Sequence, residues 1–344
     1  MFFDLRFFAS IYIFLTFFSC SAQPTAWQIS IEKLPEKISF EDQISLNLLS
    51  NQEIDSMFWM DDNGNKMLIV EKNLSLPTTS LGKKKLRLQV FSKKEKKILS
   101  VNYEVFSNII PEQWTYQIKN NYTHLSENYT QGLEFFEDFL YESTGLYDQS
   151  KVLVYAFPKL NQPILQENLS AQFFGEGLTI IKNSIYQLTW KNQEGLIYER
   201  ENLKKKDKFS YLGEGWGLAH NEKNQLILSN GSEKLQFINP ENFVKKNEIF
   251  VYSNNEKITL LNELEYVDGQ IWANRYYEDK IYVIEEKTGR VLAFLDFSDL
   301  RKQLKNPEKA EVLNGIAYYP KKNRFLITGK LWSDFFEVEI LKPN

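Results

Sequence analysis

The chain has 344 residues, 43% of them hydrophobic, so it is long enough for about two domains with sizeable cores. Its 45 acidic and 41 basic residues give a net charge of −4, which provides no overall positive field for nucleic acid, and we expect no such partner. The single cysteine, Cys20, excludes a disulfide framework and a cysteine-based zinc site within the chain.

The N-terminal segment has the features of an export signal. Residues 1–19 are almost all apolar and end directly before Cys20, which resembles the lipid-acceptor cysteine of bacterial lipoproteins. Residues 17–19 are bulkier than the usual pattern, so an ordinary secretory signal with an incidental cysteine is the alternative. The composition, rich in Lys, Asn, Ile and Phe, favours a bacterial source. We predict a signal peptide over 1–22, lipidation at Cys20, and an exported protein that is periplasmic or anchored to the outer membrane.

The next segment, 23–107, shows short alternating apolar runs separated by turn signals. The runs lie at 27–31, 43–48, 57–60, 85–90 and 98–106. This spacing predicts several short strands and a small β-sandwich that resembles an immunoglobulin-like module. Its charges are typical of a solvated face and form no catalytic constellation, so we interpret it as a spacer or interaction module.

From residue 108 to 344 one short pattern occurs five times. It places a polar or aromatic residue shortly before a common apolar position, and its copies lie at 130–135, 173–179, 215–219, 261–266 and 313–318; all but the copy at 261–266 contain one or two glycines. The common apolar positions are Leu133, Leu178, Leu218, Leu264 and Ile316, separated by 45, 40, 46 and 52 residues. A period in the forties with several strands per unit is typical of a β-propeller, and the pattern predicts five blades.

Each repeat is followed by two further predicted strands, and four of the five repeats by a fourth, outer strand. The last repeat reaches the end of the given sequence without one. The unassigned strand at 114–118, ahead of the first repeat, is the candidate to complete that blade and close the ring, because an open propeller would leave exposed strand edges. The fold class predicted is therefore all-β, a five-bladed propeller preceded by a small sandwich.

Polar residues near the starts of the inner strands should meet at one mouth of the central channel. They are Gln131, Glu176, Trp216, Asn262 and Asn314. Asn314 could equally be a structural tie between blades. Glu176 differs, because a carboxyl group among aromatic residues must be hydrogen-bonded or have its pKa raised by desolvation. A carboxyl with a raised pKa can transfer protons.

The sequence resembles the plant and bacterial β-propeller type of glutaminyl-peptide cyclotransferase over about 124–338. The segments that carry the resemblance are TQGL at 130–133, YESTGLY at 141–147, GEGLT at 175–179, LTW at 188–190 and LNELEY at 261–266. The resemblance implies conversion of N-terminal glutamine of peptides or proteins into pyroglutamate with release of ammonia, an acyltransferase reaction. It leaves out the N-terminal sandwich.

The resemblance also implies roles for individual residues. Glu176 would be the general acid/base, with Asn262 and Lys330 as further catalytic groups, although Lys330 could instead only neutralise Glu176. Gln131, Trp190, Trp216 and Tyr276 would bind the substrate, with the two indole N–H groups as potential donors to a carbonyl oxygen. Tyr276 stands where the family usually has a tryptophan, which leaves the fit around the substrate open.

Two alternatives remain at this stage. A propeller that binds peptides without turnover is supported only by Tyr276, and a sugar-acid lactonase would need a cluster of carboxylates that the sequence does not place at the channel mouth. Two histidines and one exported cysteine cannot make a catalytic zinc site of three histidines or of histidine and thiolate. We therefore expect no required cofactor or catalytic metal, while a structural cation could occupy the channel. A monomer is expected.

Overall fold

The computed structural model describes residues 26–60, 66–69, 74–93 and 95–343. The regular secondary structure of this part of the chain is almost entirely β-strand, with one short helix, α1 (Ser298–Arg301), and one 3₁₀ turn, Pro320–Lys322. Within these ranges no helix is long and apolar enough to cross a membrane. The predicted signal peptide and Cys20 lie outside the described residues.

The N-terminal region contains nine strands. They are β1 (Ile29–Ile31), β2 (Ile38–Ser39), β3 (Ser45–Leu46), β4 (Leu48–Ser50), β5 (Ser56–Met60), β6 (Lys66–Leu68), β7 (Leu74–Ser75), β8 (Gly82–Ser92) and β9 (Glu95–Phe106). Five of them form a sheet in the order β2-β9-β8-β5-β6, and β1 pairs with β4 and β3 with β7. Leu88, Val90 and Val105 are fully buried in the core of this region, because alternate residues of a strand point to the same face.

This N-terminal region packs against the rest of the chain through Tyr252. The Tyr252 ring lies in the same hydrophobic cluster as Val105 and contacts Phe106 edge-on at 5.6 Å. Its hydroxyl donates a hydrogen bond to Glu104 (2.9 Å), and the amide of Ser107 donates one to a backbone oxygen at Ser253 (3.1 Å). The N-terminal region is thus seated on the larger one by both apolar and polar contacts.

The remaining strands follow a regular antiparallel pattern. One long strand, β10 (Glu112–Thr123), precedes three separate four-stranded sheets. The first sheet contains β11 (Thr130–Phe136), β12 (Phe139–Thr144), β13 (Lys151–Ala156) and β14 (Leu165–Asn168). The second contains β15 (Gly175–Ile181), β16 (Ser184–Thr189), β17 (Glu194–Glu199) and β18 (Lys205–Ser210). The third contains β19 (Leu218–His220), β20 (Leu226–Ser229), β21 (Lys234–Ile238) and β22 (Lys245–Phe250).

The last seven strands share one eight-stranded sheet with β10, in the order β23-β24-β25-β26-β10-β29-β28-β27. They are β23 (Leu261–Val267), β24 (Gln270–Arg275), β25 (Lys280–Glu285), β26 (Val291–Asp296), β27 (Leu313–Tyr319), β28 (Arg324–Gly329) and β29 (Asp334–Leu341). The strand predicted at 114–118 is therefore confirmed as a partner of the last strand, since β10 pairs antiparallel with β29. The parallel pairing of residues 112–114 with β26 was not predicted.

The repeated glycines explain why the inner strands can approach one another. The strands β11, β15, β19, β23 and β27 contact one another in cyclic order, with β27 returning to β11. A Cβ atom added at Gly132 would lie 2.4 Å from the backbone nitrogen of Leu178, and one at Gly177 would lie 2.4 Å from that of Leu218. A side chain at either position would force these neighbouring strands apart. The third inner strand is shorter than predicted, because β19 begins only at Leu218.

The pairing of β10 with β29 is reinforced by one buried carboxylate. Glu337 of β29 accepts hydrogen bonds from Asn120 (2.5 Å) and Tyr122 (2.6 Å) of β10, and from Arg324 of β28 (2.9 Å). Burial acts to raise the pKa of Glu337, but the hydrogen bonds from Tyr122, Arg324 and Asn120 outweigh it and lower this pKa to about 2. Glu337 therefore stays ionised and joins β10 to both of the last two strands.

Replacing Glu337 with glutamine is expected to lower the free energy of unfolding by about 2 kcal/mol, because hydrogen bonds to a buried charge are lost. Since the folded pKa lies below that of an unfolded glutamate, this stabilisation is present above about pH 4 and is lost as the pH falls towards 2. Urea unfolding at pH 7 and pH 3 measures both effects. Glu339→Gln, on the exposed side of the same strand, is the matched control. Equal effects of the two substitutions would contradict the role of Glu337.

Candidate active site

A cavity of about 200 Å³ lies where the inner strands begin. Neighbouring strands are antiparallel, so the starts of β11, β15 and β23 and the ends of β16 and β28 meet at the same end of the sheets. All seven predicted catalytic and substrate-binding residues line this cavity: Gln131, Glu176, Trp190, Trp216, Asn262, Tyr276 and Lys330. Three further lining residues were not predicted: Tyr129, Leu146 and Phe174.

Irregular strand pairing directs the polar residues into the cavity. The pairing of an inner strand with its neighbour shifts register at four equivalent places, and a β-bulge re-aims the side chains it contains. Three of the shifts lie at 130–132, 175–178 and 261–264, which contain Gln131, Glu176 and Asn262. Asn314 lies in the equivalent irregular segment but does not line the cavity.

Glu176 is the central ionisable group of the cavity. Its side chain is only 5% exposed. Burial raises the pKa of Glu176 well above its usual range, the positive charge of Lys330 opposes the shift, and the negative charge of Glu214 adds to it. The backbone is held in place because the hydroxyl of Ser143 donates to the carbonyl oxygen of Glu176. A carboxyl with a raised pKa in a pocket can both accept and return a proton near neutral pH.

Lys330 provides a buried cation opposite this carboxyl group. Its ammonium lies 4.7 Å from the ring centre of Tyr129 and 4.8 Å from that of Tyr276. Two aromatic faces at this distance stabilise a cation that has lost water. Burial lowers the pKa of Lys330 to about 8, although the charges of Glu176 and Glu311 act to raise it. Tyr276 therefore has a clear structural role as one wall of this cage.

The side-chain amides of Asn262 and Gln131 each have one polar atom available to bind a ligand. The Asn262 Oδ1 atom is buried and has no hydrogen-bond partner among the described residues. The Gln131 Oε1 atom accepts a hydrogen bond from Asn314 (3.2 Å), which leaves the Nε2 end for a ligand. Asn314 also donates to the backbone oxygen of Thr130 (2.9 Å), so it ties the last inner strand to the first. A buried acceptor without a partner is unusual in a protein interior and is suited to receiving an N–H of a substrate.

The loop that carries Tyr129 and Gln131 is fixed from behind by Glu142. This fully buried carboxylate accepts hydrogen bonds from Asn128 (2.8 Å), Thr130 (2.7 Å) and Tyr155 (2.9 Å). The His124 Nε2 atom lies 2.9 Å from the same carboxylate. The segment around Tyr129 is therefore fixed by the protein itself, since both chain neighbours of Tyr129 are held by one buried carboxylate.

Glu214 is a further residue at this site that the sequence analysis did not identify. One of its carboxylate oxygens accepts the indole N–H of Trp190 (2.8 Å) and also that of Trp216 (3.0 Å). In this structure both indole N–H groups therefore donate to Glu214, and their donation to a substrate carbonyl stays a prediction. A signal was present in the sequence, because Glu214 stands between Gly213 and Gly215 as Glu176 stands between two glycines.

Glu134 and Glu265 form a second group of carboxyls, partly buried and further along the inner strands, where a separate cavity opens. Burial raises the pKa of Glu134 to about 8, although hydrogen bonds from Thr179 and Ile180 oppose the shift. In the described ranges no set of three or more His, Cys, Asp and Glu side chains is arranged to hold a metal ion. A structural cation in the channel thus stays a prediction.

Comparison with known proteins identifies the family. The sequence profile of the family described as "Glutamine cyclotransferase" matches residues 93–340, well over half of the chain. The chain is 34% identical to an Arabidopsis thaliana glutaminyl-peptide cyclotransferase over 232 residues, which are 66% of this chain and 72% of the relative. It also resembles the crystal structure of Myxococcus xanthus glutaminyl cyclase, with a TM-score of 0.62, 33% identity, and coverage of 68% of this chain and 100% of the other. These matches, together with the cavity built around Glu176, show that the chain belongs to the glutamine cyclotransferase family.

Proposed function

We propose that the chain converts the N-terminal glutamine of peptides or proteins into pyroglutamate, with Glu176 as the proton-transferring group. The observation that carries this role is the placement of a buried carboxyl with a raised pKa beside a buried ammonium in a cavity of single-residue size. The reaction is an intramolecular acyl transfer, because the γ-acyl group of glutamine passes from its side-chain nitrogen to its own α-amine.

Glu176 would serve in both halves of the reaction. The neutral α-amine attacks the γ-carbonyl carbon, and ionised Glu176 takes a proton from the attacking nitrogen. The C–N bond to the side-chain nitrogen then breaks, and the carboxyl returns the proton to the leaving group, which departs as ammonia. Because the proton goes from one substrate nitrogen to the other, Glu176 ends in its starting state. General acid–base transfer of this kind contributes about 10²–10⁴ to the rate.

The other polar groups of the cavity can stabilise the transition state in which the five-membered ring closes. The Lys330 ammonium can stabilise the oxyanion that develops on the γ-carbonyl, as can the Nε2 group of Gln131. The unpartnered Oδ1 of Asn262 can accept an N–H of the α-amine and orient it for attack. Trp190, Trp216 and Tyr276 wall the cavity, and their rings exclude water from the reacting groups.

Ammonia release from a short peptide with N-terminal glutamine tests this function. We expect release to continue in the presence of a chelator, because the sequence contains too few histidines and cysteines for the catalytic zinc sites considered above. A folded protein that binds the peptide without releasing ammonia would favour the peptide-binding alternative. Tyr276 no longer singles out that alternative, since it forms part of the cage around Lys330.

Two substitutions of Glu214 distinguish the effect of its charge from the effect of its hydrogen bonds. In Glu214→Gln the negative charge that helps to raise the pKa of Glu176 is removed, so the pKa falls and the acid limb of kcat against pH should move to lower pH. In Glu214→Ala the two indoles also lose their shared acceptor, and we expect kcat/KM to fall about tenfold or more because the cavity wall shifts.

The measurement is kcat against pH on one glutamine peptide, so that the α-amine of the substrate is the same in every profile. Glu241→Gln, which changes an exposed carboxylate, is the control. A profile of Glu214→Gln identical to that of the wild type would show that the charge of Glu214 does not act on Glu176.

For the architecture, we propose that the five groups of strands are the blades of a propeller over residues 108–344. The cyclic contacts of the inner strands and the antiparallel order within each group support this proposal. We further propose that residues 23–107 form an immunoglobulin-like sandwich and that the protein acts as a monomer. Residues 1–22 are proposed to be a bacterial lipoprotein signal, with Cys20 lipidated and the protein periplasmic or held at the outer membrane.

A further inference from the structure

The cavity is too small to hold more than the first residue of a peptide. Its volume of about 200 Å³ lies below the ~300–1,000 Å³ of pockets that enclose drug-sized ligands. If the proposed function is correct, the N-terminal glutamine fills this space, and the second residue must lie on the rim. The side chains exposed at the rim therefore decide which second residues are favoured.

Two series of aromatic rings lead from the cavity to the surface, and we call them the aromatic ladders. The first ladder contains Trp190, Phe174 and Tyr147. The Trp190 and Phe174 ring centres are 5.5 Å apart, and Phe174 meets Tyr147 edge-on at 5.4 Å. Trp190 and Phe174 line the cavity, whereas Tyr147 does not line it and is 46% exposed.

The second ladder contains Trp216, Tyr276 and Tyr277. The Trp216 and Tyr276 ring centres are 5.8 Å apart, and those of Tyr276 and Tyr277 are 4.0 Å apart. Trp216 and Tyr276 line the cavity, and Tyr277 is 74% exposed. Each ladder thus begins at an indole held by Glu214 and ends at an exposed tyrosine.

Exposed aromatic rings that continue a ligand cavity are suited to contact with the ligand. Large apolar groups left in water usually mark a binding surface when they lie together and are continuous with a pocket. A charged group lies beside the first ladder, since the Lys191 ammonium is 3.8 Å from the ring centre of Trp190.

We propose that the outer ends of the aromatic ladders, Tyr147 and Tyr277, form a subsite for an apolar and preferably aromatic second residue of the substrate. The peptide would leave the cavity at this rim, with its second side chain packed on the tyrosine rings. This inference rests on the proposed function of the same cavity and adds the class of peptide that the site selects.

The test compares kcat/KM for four peptides that differ only at the second residue: Gln-Phe, Gln-Gly, Gln-Glu and Gln-Lys, each extended by the same neutral tail. We expect kcat/KM for Gln-Phe to exceed that for Gln-Gly by about tenfold, because an aromatic pair contributes about 0.5–1.5 kcal/mol beyond area burial and 1.4 kcal/mol is tenfold. In the variant with both Tyr147→Ser and Tyr277→Ser, this ratio should fall to about one or two.

Both tyrosines are exposed, so the double variant should keep its fold, and its unfolding midpoint checks this. Ile110→Ser, which removes another exposed apolar side chain (76% exposed) outside the ladders, is the matched control and should keep the ratio of the wild type. Equal kcat/KM for Gln-Phe and Gln-Gly in the wild type would overturn the subsite. A higher kcat/KM for Gln-Glu than for Gln-Phe would also overturn the aromatic subsite, and it would indicate that Lys191 contacts the second residue of the peptide.

The two proposals fail in different ways. If no ammonia is released from any of the four peptides, the proposed function itself is wrong. If ammonia is released from all four at similar rates, the function stands and only the aromatic subsite is wrong.

Discussion

Replacing Glu176 with glutamine is expected to reduce ammonia release by about 10³-fold or more, while the protein stays folded. Glutamine occupies the same space as glutamate but cannot take a proton from the attacking amine, so the loss falls on the chemical step. We therefore expect the decrease in kcat, with little change in KM. The measurement is steady-state ammonia release on one glutamine peptide, combined with the unfolding midpoint of each protein.

Glu134→Gln is the matched control for this substitution. Glu134 is another carboxyl of the same ring of inner strands, and its pKa is raised to about 8 by burial, but it does not line the cavity around Glu176. At pH 7 glutamine therefore mimics its protonated state. Comparable losses of activity in the two variants would point to a general effect of the channel carboxyls and would contradict a specific role for Glu176.

Replacing Lys330 with methionine is expected to lower kcat/KM by about 10²-fold, because a preorganised positive charge near the developing oxyanion is lost. Methionine keeps an unbranched side chain between the rings of Tyr129 and Tyr276. Glu176 loses its cationic neighbour in this variant and is expected to take up a proton, which avoids an unpaired buried charge; the unfolding midpoint checks that the fold is kept. The residual activity should also respond differently to pH.

The direction of that response follows from the charge of Lys330, which holds down the pKa of Glu176. Without it the pKa of Glu176 rises further, so the acid limb of kcat against pH moves to higher pH, opposite to the shift expected for Glu214→Gln. Lys159→Met, at an exposed lysine, is the control. An acid limb that moves to lower pH, or a change in kcat/KM of less than twofold, would contradict the electrostatic role of Lys330.

Much of the architecture was predictable because local chemistry repeats. The pattern marks each inner strand, and four of its five copies contain glycine. The structure supplies the reason for the glycines, since Gly132 and Gly177 lie against the backbone of the next inner strand. The same repetition located Glu176 and Asn262, which occupy equivalent bulges. Where close packing or a bulge requires one residue type, that residue type recurs in the sequence, and the repeat can be recognised before the fold is known.

The features that were missed depend on contacts between distant parts of the chain. Glu214 gains its role from the indole of Trp190, which is 24 residues away. The parallel pairing of residues 112–114 with β26 joins segments separated by about half of the chain, and no local pattern encodes it. The cage of Tyr129 and Tyr276 around Lys330 likewise joins residues that flank three different strands, β11, β24 and β28. Such contacts are set by tertiary packing, so sequence spacing alone could not identify them.

The most direct test of the central claim compares two peptides that differ only at the α-amine. One has a free N-terminal glutamine and the other has the same glutamine acetylated on its α-amine, so that it cannot cyclise. We expect equal amounts of ammonia and pyroglutamyl peptide from the free peptide and neither product from the acetylated one. Ammonia from both peptides would indicate hydrolysis of the side-chain amide instead of cyclisation, and an unchanged free peptide in the presence of folded protein would contradict the proposed reaction.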